Sequence, residues 1–151
     1  LGLNAAPSGD GHLDYAGNLK PYRGGTSYTG YLYVPCIPKL TSTSWDGDAR
    51  STTSWTKIDL SSVFDVPANV KAVQISMRAR DSVAIGATNL RFYVGPNGSD
   101  ISEILAPIGG DVLANIETTC PCDDNGDIYY YIVASGSGTM DCWLEIKGYY
   151  I

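Results

Sequence analysis

Histidine is almost absent from this chain: of 151 residues only His12 is one, beside Asp14 in a glycine-rich stretch. A general base must be held in place against its substrate, and that stretch has no periodic element to hold it. Glutamate is scarce too, with Glu103, Glu117 and Glu145 the only three among 16 acids. Paired carboxylates for glycoside hydrolysis therefore have few candidates, and Glu145 falls on an outward strand position where a solvated charge is expected. No G-x-S-x-G, phosphate loop or H-E-x-x-H is present. The expectation is a non-enzyme without a cofactor.

Charge is also thin. Charged residues make up 17% of the chain and the net charge is −6, against ~25% charged residues in an ordinary soluble domain. A negative field without a Lys/Arg run repels phosphate, which argues against a nucleic-acid surface. No apolar run nears the ~20 residues of a membrane-spanning helix. Leu1 to Ala6 lacks the basic and apolar regions of a signal peptide. With no initiator Met, the chain is expected to be trimmed or part of a longer polypeptide.

Four cysteines, Cys36, Cys120, Cys122 and Cys142, permit two disulfides in three connectivities. Cys142 alternates with Met140, Leu144 and Ile146, so a buried free thiol is expected there. Cys120 and Cys122 form a lone C-x-C, short of a zinc pattern. Asp123, Asn125 and Asp127 place oxygen donors at alternate positions, like the start of a calcium loop. The glycine comes one place early and the closing glutamate is missing, so an Asx turn is expected. Asp46-Gly47-Asp48 reads the same way.

What the chain has is a period of two. Val73, Ile75, Met77 and Ala79 face one way while Gln74, Ser76, Arg78 and Arg80 face the other, the signature of a half-buried strand. Leu90, Phe92 and Val94 repeat it, and Asn97-Gly98 signals a hairpin to Ile101–Leu105. Tyr28–Val34 and Val112–Ile116 are further strands. Ile128–Ala134 and Thr139–Tyr149 are strong ones, expected to pair as a hairpin through Ser135-Gly136-Ser137-Gly138. Ser61–Phe64 suits one helical turn. The predicted fold is all-β, an antiparallel β-sandwich or jelly roll. It occupies residues 28–151, behind an extended N-terminal arm of residues 1–27.

Eleven Tyr and three Trp against two Phe is a balance suited to rings with one wet edge. Tyr129 and Tyr131 share the face opposite Ile128, Tyr130 and Ile132, and Trp143 points away from the core set of its own strand. A loop or the arm covers these rings, or they meet a subunit or a glycan. Tyr15 and Tyr22 in the arm favour docking on a partner.

Several segments resemble a known group. They are TSWDGDARSTT (43–53), IDLSSVFDVPANVKAV (58–73), Arg80-Asp81-Ser82, CDDNGDIYY (122–130), ASGSGTMD (134–141) and LEIKGYYI (144–151). Together they resemble small β-domain structural proteins of tailed bacteriophages, of tail-fibre or virion surface and decoration type. The resemblance spans residues 28–151. It implies a virion component assembled in the host cytoplasm. It also implies a homo-oligomer, a trimer by analogy, with the arm gripping other virion proteins and exposed aromatics available to a host glycan. It brings no catalytic residue with it, and a reducing assembly compartment favours free thiols. The alternative is a secreted or fibre-borne carbohydrate-binding module.

Overall fold

A computed structural model describes residues 31–84 and 89–151 throughout. Before residue 31 it describes the backbone of four two-residue strands: β1 (His12–Leu13), β2 (Leu19–Lys20), β3 (Tyr22–Arg23) and β4 (Thr26–Ser27). The chain divides into two units, Leu1–Tyr33 and Val34–Ile151. In the first, β1 pairs antiparallel with β2, and β3 with β4. The expected extended arm, residues 1–27, lies largely outside the described residues. Each strand is too short to show a period.

The second unit is an antiparallel β-sandwich. Its strands are β5 (Tyr33–Leu40), β6 (Asp46–Arg50), β7 (Thr56–Ile58), β8 (Ala72–Asp81), β9 (Arg91–Gly95), β10 (Glu103–Leu105), β11 (Ala114–Pro121), β12 (Ile128–Val133) and β13 (Met140–Tyr150). A five-residue helix, α1 (Leu60–Phe64), follows β7, with Asp59 accepting from the Ser62 amide as its N-cap. One sheet has the order β10-β9-β12-β7. The other has the order β11-β8-β13-β5, with β6 also on β13.

The alternation seen in sequence is the alternation of burial. Val73, Ile75, Met77 and Ala79 of β8 and Met140, Cys142, Leu144 and Ile146 of β13 are fully buried. They meet Phe92, Val94, Ile128 and Ile132 from the other sheet in one core. All four cysteines are free. Burial pushes the Cys120 thiol up to about 11 and the Cys122 and Cys142 thiols up to about 12. All three stay protonated at neutral pH and give no thiolate nucleophile.

Four expectations give way. First, β12 and β13 do not pair. β12 lies between β9 and β7, and β13 pairs with β8 and β6. The linker between them crosses from one sheet to the other, because each strand has one apolar face and both faces fill the same core. Second, Asp46-Gly47-Asp48 is strand, not turn. Gly47 sits at φ +117°, at a bulge opposite Cys142 and Trp143, where a Cβ would come within 2.8 Å of the Trp143 ring. Third, Glu145 is only 7% exposed. Its strand is interior to the sheet, and the long side chains of Lys39 and Arg78 reach it at 2.5 and 2.7 Å. Burial works to raise the Glu145 pKa, but these cations with Lys147 outweigh it and hold the carboxyl below its usual range. Fourth, β11 begins at Ala114, while Val112 and Leu113 are exposed before it.

Candidate binding face

β9, β10, β7 and β12 each turn alternate side chains away from the core. In register, Ile104 of β10 lies opposite Tyr93 of β9, and Tyr93 opposite Tyr131 of β12. The β12–β7 ladder pairs Tyr130 with Thr56, so Trp55 continues the row one residue beyond. The order across the outer face is Ile104, Tyr93, Tyr131, Trp55. Such directly opposed side chains are the closest neighbours a sheet offers. Tyr93 and Tyr131 rings stack at 5.9 Å and 29°, Trp55 lies 6.0 Å from Tyr131 at 34°, and Trp55 and Tyr93 are tilted 54° at 6.3 Å. The three separations are nearly equal, so the rings form a triangular cluster above the register row.

The loop joining β9 to β10 walls this row. Asn97 caps it, accepting through Oδ1 from the amides of Ser99 and Asp100 at 2.8 Å each. The Asn97-Gly98 signal thus marks an Asx-capped loop of seven residues joining the expected antiparallel pair, β9 and β10. Trp55, Tyr93, Ser99, Ile101 and Tyr131 together line a cleft of about 230 Å³. A second cleft, about 310 Å³, is lined by Ser51, Thr52, Thr53, Gly136 and Ser137 with the β12 segment from Tyr131 to Ala134. Tyr131 lines both. Thr52 fixes that side of β12: its amide donates to the Ile132 carbonyl at 3.1 Å, and its Oγ1 accepts from the Ile132 amide at 2.7 Å.

Gly95 sets the wall. A Cβ there would overlap the Asp100 carbonyl oxygen, so only glycine lets the loop fold back onto the strand. Replacing Gly95 with Ala is expected to cost about 1–3 kcal/mol through the forced backbone shift. It should also open the Ser99–Ile101 side of the cleft. Chemical denaturation, with tryptophan emission compared against a Trp55→Phe control to isolate the Trp55 contribution, checks both. An unchanged midpoint and spectrum would refute the close approach.

The residues singled out in the sequence fall apart into separate places. Tyr131 is central to the row. Tyr129 is on the same face, opposite Gly95 and Lys57. Trp143 belongs to the other sheet, with the guanidinium centres of Arg78 and Arg80 5.8 and 5.6 Å from its ring, so the three aromatics are not one surface. Tyr15 lies outside the described residues, and Tyr22 is described only as backbone of β3. Tyr93 and Trp55 were not singled out. The inward set Leu90, Phe92 and Val94 already implied an outward Tyr93. Trp55, beyond a three-residue strand, left no period to read.

The carboxylate cluster is a turn. Asp123 Oδ1 accepts from the amides of Asn125 and Asp127 at 2.9 Å. Asp127 accepts from Lys57 Nζ at 2.8 Å and the Leu60 amide at 3.1 Å. These oxygens are spent on the chain itself. Among the described residues no three His, Cys, Asp or Glu side chains are grouped to hold a metal ion, and no helix is long and apolar enough to cross a membrane. No family model matches this chain, and no curated protein matches it.

Proposed function

We propose that this chain is a non-enzymatic structural subunit of a tailed-phage virion, of tail-fibre kind, whose aromatic face is a recognition surface. The phage assignment is supported by the sequence resemblance over residues 28–151. The recognition role is carried by one observation: the row Ile104, Tyr93, Tyr131 and Trp55, aligned by strand register on a face turned away from the core. Aromatic rings with polar tips are what binding surfaces concentrate. A purely decorative shell subunit would rely on its arm and would not need this row. Homo-oligomerisation, as a trimer, and contact with neighbouring virion proteins belong to the same proposal.

The test is location. Antibody raised against the recombinant chain, used with gold label on purified particles of the phage that encodes it, is expected to decorate the tail tip. Label confined to the particle-free supernatant would overturn the virion assignment. It would favour the second reading, a secreted carbohydrate-binding module, which the Ser and Thr side chains among the second cleft's lining residues support.

A further inference from the structure

Among the described residues the two sheets end on β10, β7, β11 and β5. Open strand edges recruit other strands, and proteins blunt them with short length, proline, bulges or charge. β10 and β7 are three residues long, and β5 carries Pro35 and Pro38. β11 has eight residues and an unbroken register against β8. Its one charged side chain, Glu117, lies 3.5 Å from Lys147 of the same sheet, and its one proline, Pro121, comes last.

The Cys122 amide donates to the Lys71 carbonyl at 3.0 Å, in register with this ladder. In an antiparallel ladder alternate residues bond the same neighbour. The even-numbered residues of β11 therefore bond β8, and Asn115, Glu117 and Thr119 turn amide and carbonyl to the open side. Pro121 falls on the open side too, where its missing N–H costs the β8 ladder nothing. Just ahead of the strand, Val112 and Leu113 are 41% and 46% exposed. They carry the strand pattern read from the sequence at Val112–Ile116, yet β11 begins at Ala114.

A second copy of the chain fits this edge in one register. Two copies of one strand meet antiparallel about a two-fold axis. Keeping inward side chains on the inward side puts that axis on a residue. On Glu117 it would set the carboxylate against its twin. On Thr118 it would set Asn115 against Pro121, which has no amide to donate. An axis nearer either end shortens the overlap. On Ile116 the conditions are met together. Leu113, Asn115, Glu117 and Thr119 bond across the axis, and the Asn115 side-chain amide faces Glu117 of the second copy as donor to acceptor. Ile116 meets its twin at the closer, non-hydrogen-bonded spacing, and Val112 falls opposite Cys120. Pro121 and Asp111 then close the pairing at both ends.

We infer that two copies pair through β11 about an axis at Ile116, extending the strand back to Val112 and joining their five-stranded sheets into one. The inference goes beyond the proposed function: this two-fold contact is no part of a trimer, and it holds whatever particle or compartment contains the chain.

Sedimentation equilibrium of the full chain tests it. A dimer is expected, or an even-numbered assembly where three-fold contacts also form. Asn115→Glu sets carboxylates against each other on both sides of the axis and should weaken the two-fold association about fivefold or more. Asn115→Lys sets a cation against Glu117 and should tighten it by a similar factor. Asn115 is exposed, so the thermal midpoint of the dilute protein should move little in either variant. Ile116→Cys should give a disulfide-linked dimer in a glutathione redox buffer, because each thiol faces its twin. Thr118→Cys and the parent should not. A monomer at every concentration, equal association of the two charge variants, or cross-linking through residue 118 in place of 116 would each overturn the inference. A trimer untouched by the charge variants would leave the proposed three-fold assembly standing and remove this contact. A dimer split by Asn115→Glu would do the reverse.

Discussion

Replacing Asp81 with Asn is expected to destabilise the domain by about 2–4 kcal/mol, visible as a fall in thermal midpoint of roughly 5–15 °C. Asp81 ends β8 and is fully buried. Its Oδ1 accepts from Ser135 Oγ at 2.6 Å and the Val83 amide at 3.0 Å. Its Oδ2 accepts from the Ser135 amide at 3.0 Å and Thr139 Oγ1 at 3.2 Å. One carboxylate thus clamps both ends of the linker that carries the chain from β12 in one sheet to β13 in the other. Asparagine keeps the shape but turns an NH₂ toward two of the four donors, and the fully buried side chain loses half of its accepting capacity. The pH dependence should change with it. Burial works to raise the Asp81 pKa, but the bonds from Ser135, Val83 and Thr139 outweigh it and leave the carboxyl below its usual range. A depressed folded-state pKa contributes stability that is full above the unfolded value of about 3.9 and is lost as pH falls through the lower folded one. Glu145, also depressed, acts in the same direction. The parent should therefore hold its midpoint down to about pH 4 and lose it below, and the Asn variant should show a shallower acid slope. A midpoint within about 2 °C of the parent would show that the clamp is not needed.

Asp81 also shows where sequence reading stops. The faces of β8, β9, β12 and β13 are legible because burial on one side of a strand leaves a period of two in the side chains. The helical turn at Leu60 and the free Cys142 follow from equally local patterns. Strand partners are not local. Ser135-Gly136-Ser137-Gly138 has the composition of a hairpin turn, and only Asp81, 54 residues upstream of Ser135, makes it a crossover. Glu145 had the alternation of an outward residue. Its burial comes from Lys39 and Arg78, over a hundred and nearly seventy positions away. The aromatic face was half legible: Tyr131, and by implication Tyr93, from alternation within their strands. Trp55 joins them only through register across β7, and Trp143 leaves them because β13 lies in the other sheet.

Trp45 is the largest stability effect expected from a single truncation, about 3–5 kcal/mol for Trp45→Ala. It closes a 3₁₀ turn, Thr43–Trp45, that leads into β6. From there its ring enters the core at 4% exposure and reaches the opposite sheet. It stacks on Phe92 at 5.9 Å and 6°, and meets Tyr130 edge-on at 4.9 Å and 88°. Such pairs add about 0.5–1.5 kcal/mol each beyond the area they bury. The Arg50 guanidinium lies 4.0 Å from the ring centroid and donates to the Ser44 carbonyl, covering the ring on the side of its own turn. Removing the indole leaves a void bounded by both sheets, and close-packed sheets cannot collapse into it freely. Trp45→Phe keeps a ring against Phe92 and should lose less than half as much. Equilibrium denaturation of the two variants, at unchanged slope, measures the difference. A cost below about 1 kcal/mol for Trp45→Ala would mean that the sheets are held without this bridge. The variant also bears on the outer face, because Tyr130, which the indole backs, lies between Tyr129 and Tyr131 on β12. Loss of that support should reach the aromatic row as weakened near-ultraviolet dichroism of the folded Trp45→Ala protein beyond that expected from one missing indole.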